Sequence, residues 1–119
     1  MDATTRSLVD EIVTRLAPLA VSRVILFGSH AQGRGTGDSD LDLLVVLDRD
    51  DLPQTYGQKT NLYLSVLRPL RDIRKRSPLD VIVHTKAMYH RFLAMDSAFA
   101  REIRNTGVTV YEAGHARMA

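Results

Sequence analysis

An apolar run with acid at its head limits this chain more than any other feature: Asp40-Leu41-Asp42-Leu43-Leu44-Val45-Val46-Leu47. Leu43 to Leu47 leaves no polar face, the pattern of a strand covered on both sides. Asp40 and Asp42 stand two residues apart. In an extended strand that spacing puts both on one face, about 7 Å apart at Cα. Two ionised carboxylates at the rim of an apolar core repel each other and lose hydration, a cost that a cation offsets. Mg2+ suits the position, because it takes hard oxygen ligands and is held by one or two carboxylates plus substrate phosphates. The competing reading is a pair of exposed strand-end aspartates that discourage edge pairing, and for an isolated Asp-x-Asp it is the commoner one.

The residues upstream shift that balance. Ser22 to Phe27 reads as a short buried strand, and Gly28-Ser29 ends it. Ser29 is expected to N-cap a short helical stretch from His30. A strand-to-helix junction with a small residue lets backbone N–H groups approach a phosphate at the positive end of a helix. An anion cradle and a carboxylate pair on successive strands together describe a site for a metal-bound polyphosphate. A third acid, Asp80, interrupts the apolar strand Leu79 to His84. If that strand neighbours the Asp40/Asp42 strand, three carboxylates converge, as metal-assisted phosphoryl or nucleotidyl transfer requires.

The remaining pattern completes an α/β (α+β) domain, with a small mixed sheet of about four strands flanked by helices. Leu8, Val9, Ile12, Val13 and Leu16 recur at helical spacing, with Thr4 or Thr5 as N-cap and Pro18 near the end. Leu62, Val66, Leu70 and Ile73 form a second apolar stripe, beside Tyr63 and Leu67, in which Pro69 forces a kink or a restart. Two short helices follow, one carrying Met88, Phe92 and Leu93, the other Phe99, Ala100 and Ile103 with Asp96 as cap. Gly107 stops the latter, Val108 to Tyr111 makes a last strand, and a mobile tail begins at about residue 113. One domain spanning residues 1–119 is expected, since half of this length would not sustain a core of its own.

Composition closes several doors. The absence of cysteine excludes disulfides, thiolate zinc sites and a cysteine nucleophile. The start Met1-Asp2-Ala3-Thr4-Thr5 lacks the form of a signal peptide, and no apolar run could cross a bilayer, so a cytoplasmic location is expected. Gly33-Arg34-Gly35-Thr36-Gly37-Asp38 misplaces the third glycine of a dinucleotide fingerprint and leads into a strand rather than a helix. Arg68, Arg71, Arg74, Lys75 and Arg76 cluster, but the net charge of +2 argues against direct nucleic-acid binding. His84 is expected as a strand-end histidine, His90 and His115 at the surface, and Tyr56 and Tyr63 in packing.

With Ser39 before the first aspartate, Gly28-Ser29-x10-Asp40-Leu41-Asp42 resembles the signature of the minimal nucleotidyltransferase (MNT) domains of the DNA polymerase β superfamily. Asp80 falls where that family has its third carboxylate, and the resemblance extends over nearly the whole chain. It implies a polymerase β-like fold and a metal-dependent nucleotidyltransferase using Mg2+, with two ions expected, and ATP as donor. Asp40, Asp42 and Asp80 would be the catalytic, metal-holding residues, with Asp80 also helping to activate the acceptor hydroxyl. Gly28 and Ser29 would hold the β/γ-phosphates, with Ser39 and Arg34 also at the nucleotide. Some members are antitoxins that silence a HEPN-domain RNase toxin by transferring AMP to one of its tyrosines.

Where family members often read Gly-Ser-x-Ala-Arg-Gly, this chain has Gly28-Ser29-His30-Ala31-Gln32-Gly33. Gln32 lacks the charge of an arginine, and Arg34 is near enough in sequence to substitute. Little chain remains to bind an acceptor, so a protein partner is expected to bring it, with a cognate HEPN-type toxin as the leading candidate and assembly with that partner. Two alternatives stand: a weakly catalytic module of the same fold that neutralises its partner by occlusion, and an adenylyltransferase for a small molecule such as an aminoglycoside.

Overall fold

The computed structural model describes residues 1–36 and 39–114. The central element is the strand announced by the apolar run: β2, Leu41–Leu47, in which every residue except Asp42 is buried. It lies between β1 (Val21–Phe27) and β3 (Leu79–Thr85), and β4 (Val108–Glu112) closes the far side of β1, giving the order β3-β2-β1-β4. β1 runs antiparallel to both β2 and β4, whereas β3 runs parallel to β2, so the sheet is mixed.

Alternation along β2 divides the core. Leu41, Leu43, Val45 and Leu47 face one layer of helices. That layer is built from α1 (Ala3–Leu16) and from α3 (Tyr56–Leu67) and α4 (Arg71–Arg76), which together form the crossover to β3. Leu44 and Val46 face the other layer, where α5 (Lys86–Ala94) and α6 (Ala98–Thr106) supply Tyr89, Phe92 and Ile103. No helix among the described residues is long and apolar enough to cross a membrane.

Pro69 restarts the helix rather than kinking it. Lacking an N–H, it cannot continue the α-helical ladder, and a 3₁₀ turn over Arg68–Leu70 joins α3 to α4. Three expectations about local detail are corrected. The N-cap of α1 is Asp2, whose carboxylate accepts from the Thr5 N–H at 2.7 Å; Thr5 itself lies inside the helix and is buried. Ser97, not Asp96, caps α6, while Asp96 adopts a left-handed φ of 49° and accepts from Arg104. Tyr56 and Tyr63 are 86% and 42% exposed, because the stripe of α3 and α4 is filled by Leu62, Val66, Leu67, Leu70 and Ile73. The expected tail from about residue 113 lies mostly outside the described residues, as does His115.

Candidate active site

The strand directions decide where the acids meet. Because β1 opposes β2 and β3 follows it, the C-terminal end of β1 and the N-terminal ends of β2 and β3 share one rim of the sheet. Phe27, Asp42 and Asp80 are in register across the three strands. Adjacent strands lie about 4.8 Å apart, so Asp42 and Asp80 are neighbours on one face, that of α5 and α6. Asp40 lies just before β2, two residues from Asp42. The condition that β3 neighbour β2 is therefore met, and it sets Asp42 beside Asp80.

Asp42 is half-buried, whereas Asp40 and Asp80 are exposed. Burial raises the Asp42 pKa above the ordinary carboxylate range, and the charges of Asp80 and Asp40 push it further the same way. His30 opposes the shift. Glu102 on α6 adds to it, a fourth acid near the site that sequence reasoning did not single out. Its one available signal was helical spacing: Glu102 is three residues from Phe99, whose ring meets Phe27 edge-on at 5.4 Å.

Gly28 is required where it stands. Its φ is +74°, and a Cβ there would lie 2.2 Å from Asp42 Oδ2, so the carboxylate occupies the space that glycine leaves. The helix that follows, α2 (Gly28–Ala31), starts two residues before the sequence suggested. Its N-cap is Phe27 with no side-chain cap, so Ser29 is a first-turn residue and not the cap.

Behind α2 the glycine-rich loop is braced by side chains. His30 Nε2 lies 3.2 Å from the Ser39 carbonyl oxygen, and its Nδ1 lies 3.4 Å from Thr5 Oγ1. The ring fills the space above Gly35, where a Cβ would come within 2.2 Å of it. Ser39 Oγ accepts from the Thr36 N–H at 3.1 Å. Arg34 donates from its backbone N–H to the Ser29 carbonyl at 2.8 Å and from its guanidinium to Gln32 Oε1 at 2.6 Å.

Among the described residues, no three acidic or imidazole groups are gathered into a ready-made metal cage. The acids instead line an open rim, with oxygen donors suited to a hard divalent cation and a central carboxylate whose ionisation its neighbours disfavour. His84 lies toward the other end of β3, half-buried against Phe92 and Tyr89, its pKa lowered by burial. It is a strand-end histidine, as expected.

The sequence pattern of the nucleotidyltransferase domain family matches residues 6–104, a span that contains the whole rim. The chain belongs to that family. None of the curated proteins compared matches it. Among solved structures, this nucleotidyltransferase domain is similar to a proposed nucleotidyltransferase from Sulfolobus solfataricus. The two share 18% identity over 96% of this chain and 82% of the other, with a TM-score of 0.58. A toxin–antitoxin structure with AMP-PNP gives 15% identity over 92% of this chain and 74% of the other, with a TM-score of 0.54. A mutant form of the toxin–antitoxin MntA-HpeT gives 13% identity over the same shares, with a TM-score of 0.53. At these identities the likeness is one of fold, and it is the mixed α/β nucleotidyltransferase fold.

Proposed function

We propose that this nucleotidyltransferase domain transfers AMP from Mg·ATP to a hydroxyl, probed first on tyrosine, of a HEPN-type toxin, and so acts as its antitoxin. The observation that carries the reading is the in-register pair Asp42–Asp80, with Asp40 two residues away and Gly28 pressed against Asp42. The family match supports the reaction class, and the likeness in fold to toxin–antitoxin structures, one of them with AMP-PNP, supports the biological setting.

In this reading Asp40, Asp42 and Asp80 hold the divalent ions, whose contribution is to neutralise phosphate charge and polarise the α-phosphorus. Asp42 is the central ligand, since its neighbours make the bare carboxylate costly. Gly28 and Ser29 offer backbone N–H groups to the β/γ-phosphates, Ser39 shapes the approach to Asp40, and Arg34 brings positive charge. The acceptor oxygen bonds to the α-phosphorus and the α–β phosphoanhydride bond breaks. Pyrophosphate leaves, and Asp80, exposed at the rim, takes the hydroxyl proton. The site thereby orients both reactants on one rim.

The test is transfer of labelled AMP from Mg·ATP to a co-expressed HEPN-type partner, read by intact mass. Wild type should add AMP, whereas Asp40→Asn combined with Asp42→Asn should lower transfer by at least about a thousandfold, as expected when metal ligands for phosphoryl chemistry are lost. A second reading, occlusion without chemistry, is favoured by Gln32 standing where an arginine is usual. If the double aspartate variant protects cells as well as wild type, occlusion replaces catalysis.

A further inference from the structure

Two of the three aspartates at the rim are fixed by the sheet, and one is not. Asp42 and Asp80 lie within β2 and β3 and stand in register in the parallel ladder. Asp40 stands outside the ladder, one residue before β2 begins, yet close enough for its charge to bear on Asp42. Its place is set by the peptide groups on either side of it. The Leu41 N–H donates to the Pro78 carbonyl at 3.0 Å, which ties one side of Asp40 to the chain entering β3. On the other side, the Ser39 carbonyl meets His30 Nε2 at 3.2 Å. A carbonyl oxygen only accepts, so this contact puts the ring proton on Nε2 and leaves Nδ1 of the neutral imidazole as an acceptor. Nδ1 faces the hydroxyl of Thr5, buried on α1, at 3.4 Å. The ring lies against Gly35, where a Cβ would come 2.2 Å from Nδ1, so a side chain at that position would take the ring's place. Three segments thus meet at one imidazole: α1, α2 and the loop that delivers Asp40.

We propose that His30 is a positioning residue for the metal-holding acids: through Nε2 and the Ser39 carbonyl it fixes the peptide group that carries Asp40. This role rests on the metal reading above and deepens it, since it names what restrains the one carboxylate that no strand holds. Like charges two residues apart favour any backbone change that separates them. Mg2+ demands near-ideal octahedral geometry, so a ligand on an unrestrained backbone contributes little to its binding. His30 supplies the restraint without touching the ion, because both of its nitrogens are engaged by Ser39 and Thr5. The anchor on α1 matters as much as the contact it supports: a ring held only at Nε2 would follow the loop instead of fixing it.

The rise of melting temperature with Mg2+, in the absence of nucleotide, gives the Mg2+ affinity of wild type, His30→Ala, His30→Gln, His30→Asn and Leu43→Ala. The amide nitrogen of glutamine reaches the place of Nε2, whereas that of asparagine reaches only the place of Nδ1. His30→Ala should weaken Mg2+ about tenfold, the size of effect seen when a group that orients a metal ligand is lost. His30→Gln should return to within about threefold of wild type, and His30→Asn should resemble alanine. Leu43→Ala loosens the opposite face of the sheet, so it should melt lower and keep the wild-type Mg2+ affinity. Unchanged affinity in His30→Ala overturns the positioning role and leaves the metal reading standing. Equal affinity in the glutamine and asparagine variants overturns it too, and that pair decides the matter if the alanine variant does not fold. A loss in Leu43→Ala as large as in His30→Ala reduces the effect to general loosening and overturns the role. A wild type that does not answer Mg2+ overturns the metal reading, and this proposal with it.

Discussion

The two faces of the sheet are made from the same strands and do opposite things. The face toward α1, α3 and α4 is apolar from rim to rim, and Leu43, Val45, Val66, Leu70 and Ile73 are wholly buried there. The face toward α5 and α6 is a smaller cluster around Leu44, Val46 and Ile103. It runs into the carboxylates of Asp42 and Asp80 at one end and the half-buried His84 toward the other. One face supplies cohesion and the other carries the strain of gathered like charge. A domain this short keeps its chemistry because the cost on one side is met by packing on the other.

That contrast can be broken from either side. Leu43→Ala, which opens a cavity in the cohesive face, should cost about 2–5 kcal/mol in urea unfolding. Gly28→Ala acts on the strained face, through a left-handed φ and a collision with Asp42 Oδ2. The backbone part alone costs about 1–2 kcal/mol, and loss of the Mg2+-induced rise in melting temperature should accompany it. Asp42→Asn should have the opposite sign on stability, raising the melting temperature of the metal-free protein by a few degrees, while likewise abolishing the response to Mg2+.

The pH dependence sharpens the same contrast. A carboxylate whose pKa is raised on folding destabilises the fold once both states are ionised, so the Asp42 penalty is absent in acid and complete above its folded pKa. Mg2+ should therefore stabilise the protein more at pH 7 than at pH 5, measured by thermal melting. The smallest effect belongs to the opposite case. Asp72, beneath the cohesive face, is held at about 2 by the Arg15 guanidinium. Its contribution is present at neutral pH and fades as the solution falls from about pH 4 to pH 2, so Asp72→Asn should flatten only that acid limb.

Much of this was legible in the residues, for identifiable reasons. β2 announced itself because five apolar residues in a row admit few other structures, and alternation alone puts Asp42 on the face opposite Leu41 and Leu43. That Asp80 stands beside Asp42 did not follow, since strand neighbours are chosen by how the intervening helices pack. The N-cap of α1 was misplaced because apolar periodicity marks where a helix is buried, not where it begins: Ala3 and Thr4 are exposed turns of the same helix. Glu102 was invisible for a related reason. The docking of Phe99 on Phe27, with Ile103 packed in the same cluster, brings α6 to the rim.

Parallel neighbours cannot be joined by a hairpin, and here the link between β2 and β3 is the whole of α3, the 3₁₀ turn and α4. Asp42 and Asp80 are therefore far apart along the polypeptide and adjacent only when that crossover is complete. A nascent or partly unfolded chain carries all the acids and none of their concentration, so the crowding of negative charge at the rim arises only once the polypeptide has finished folding.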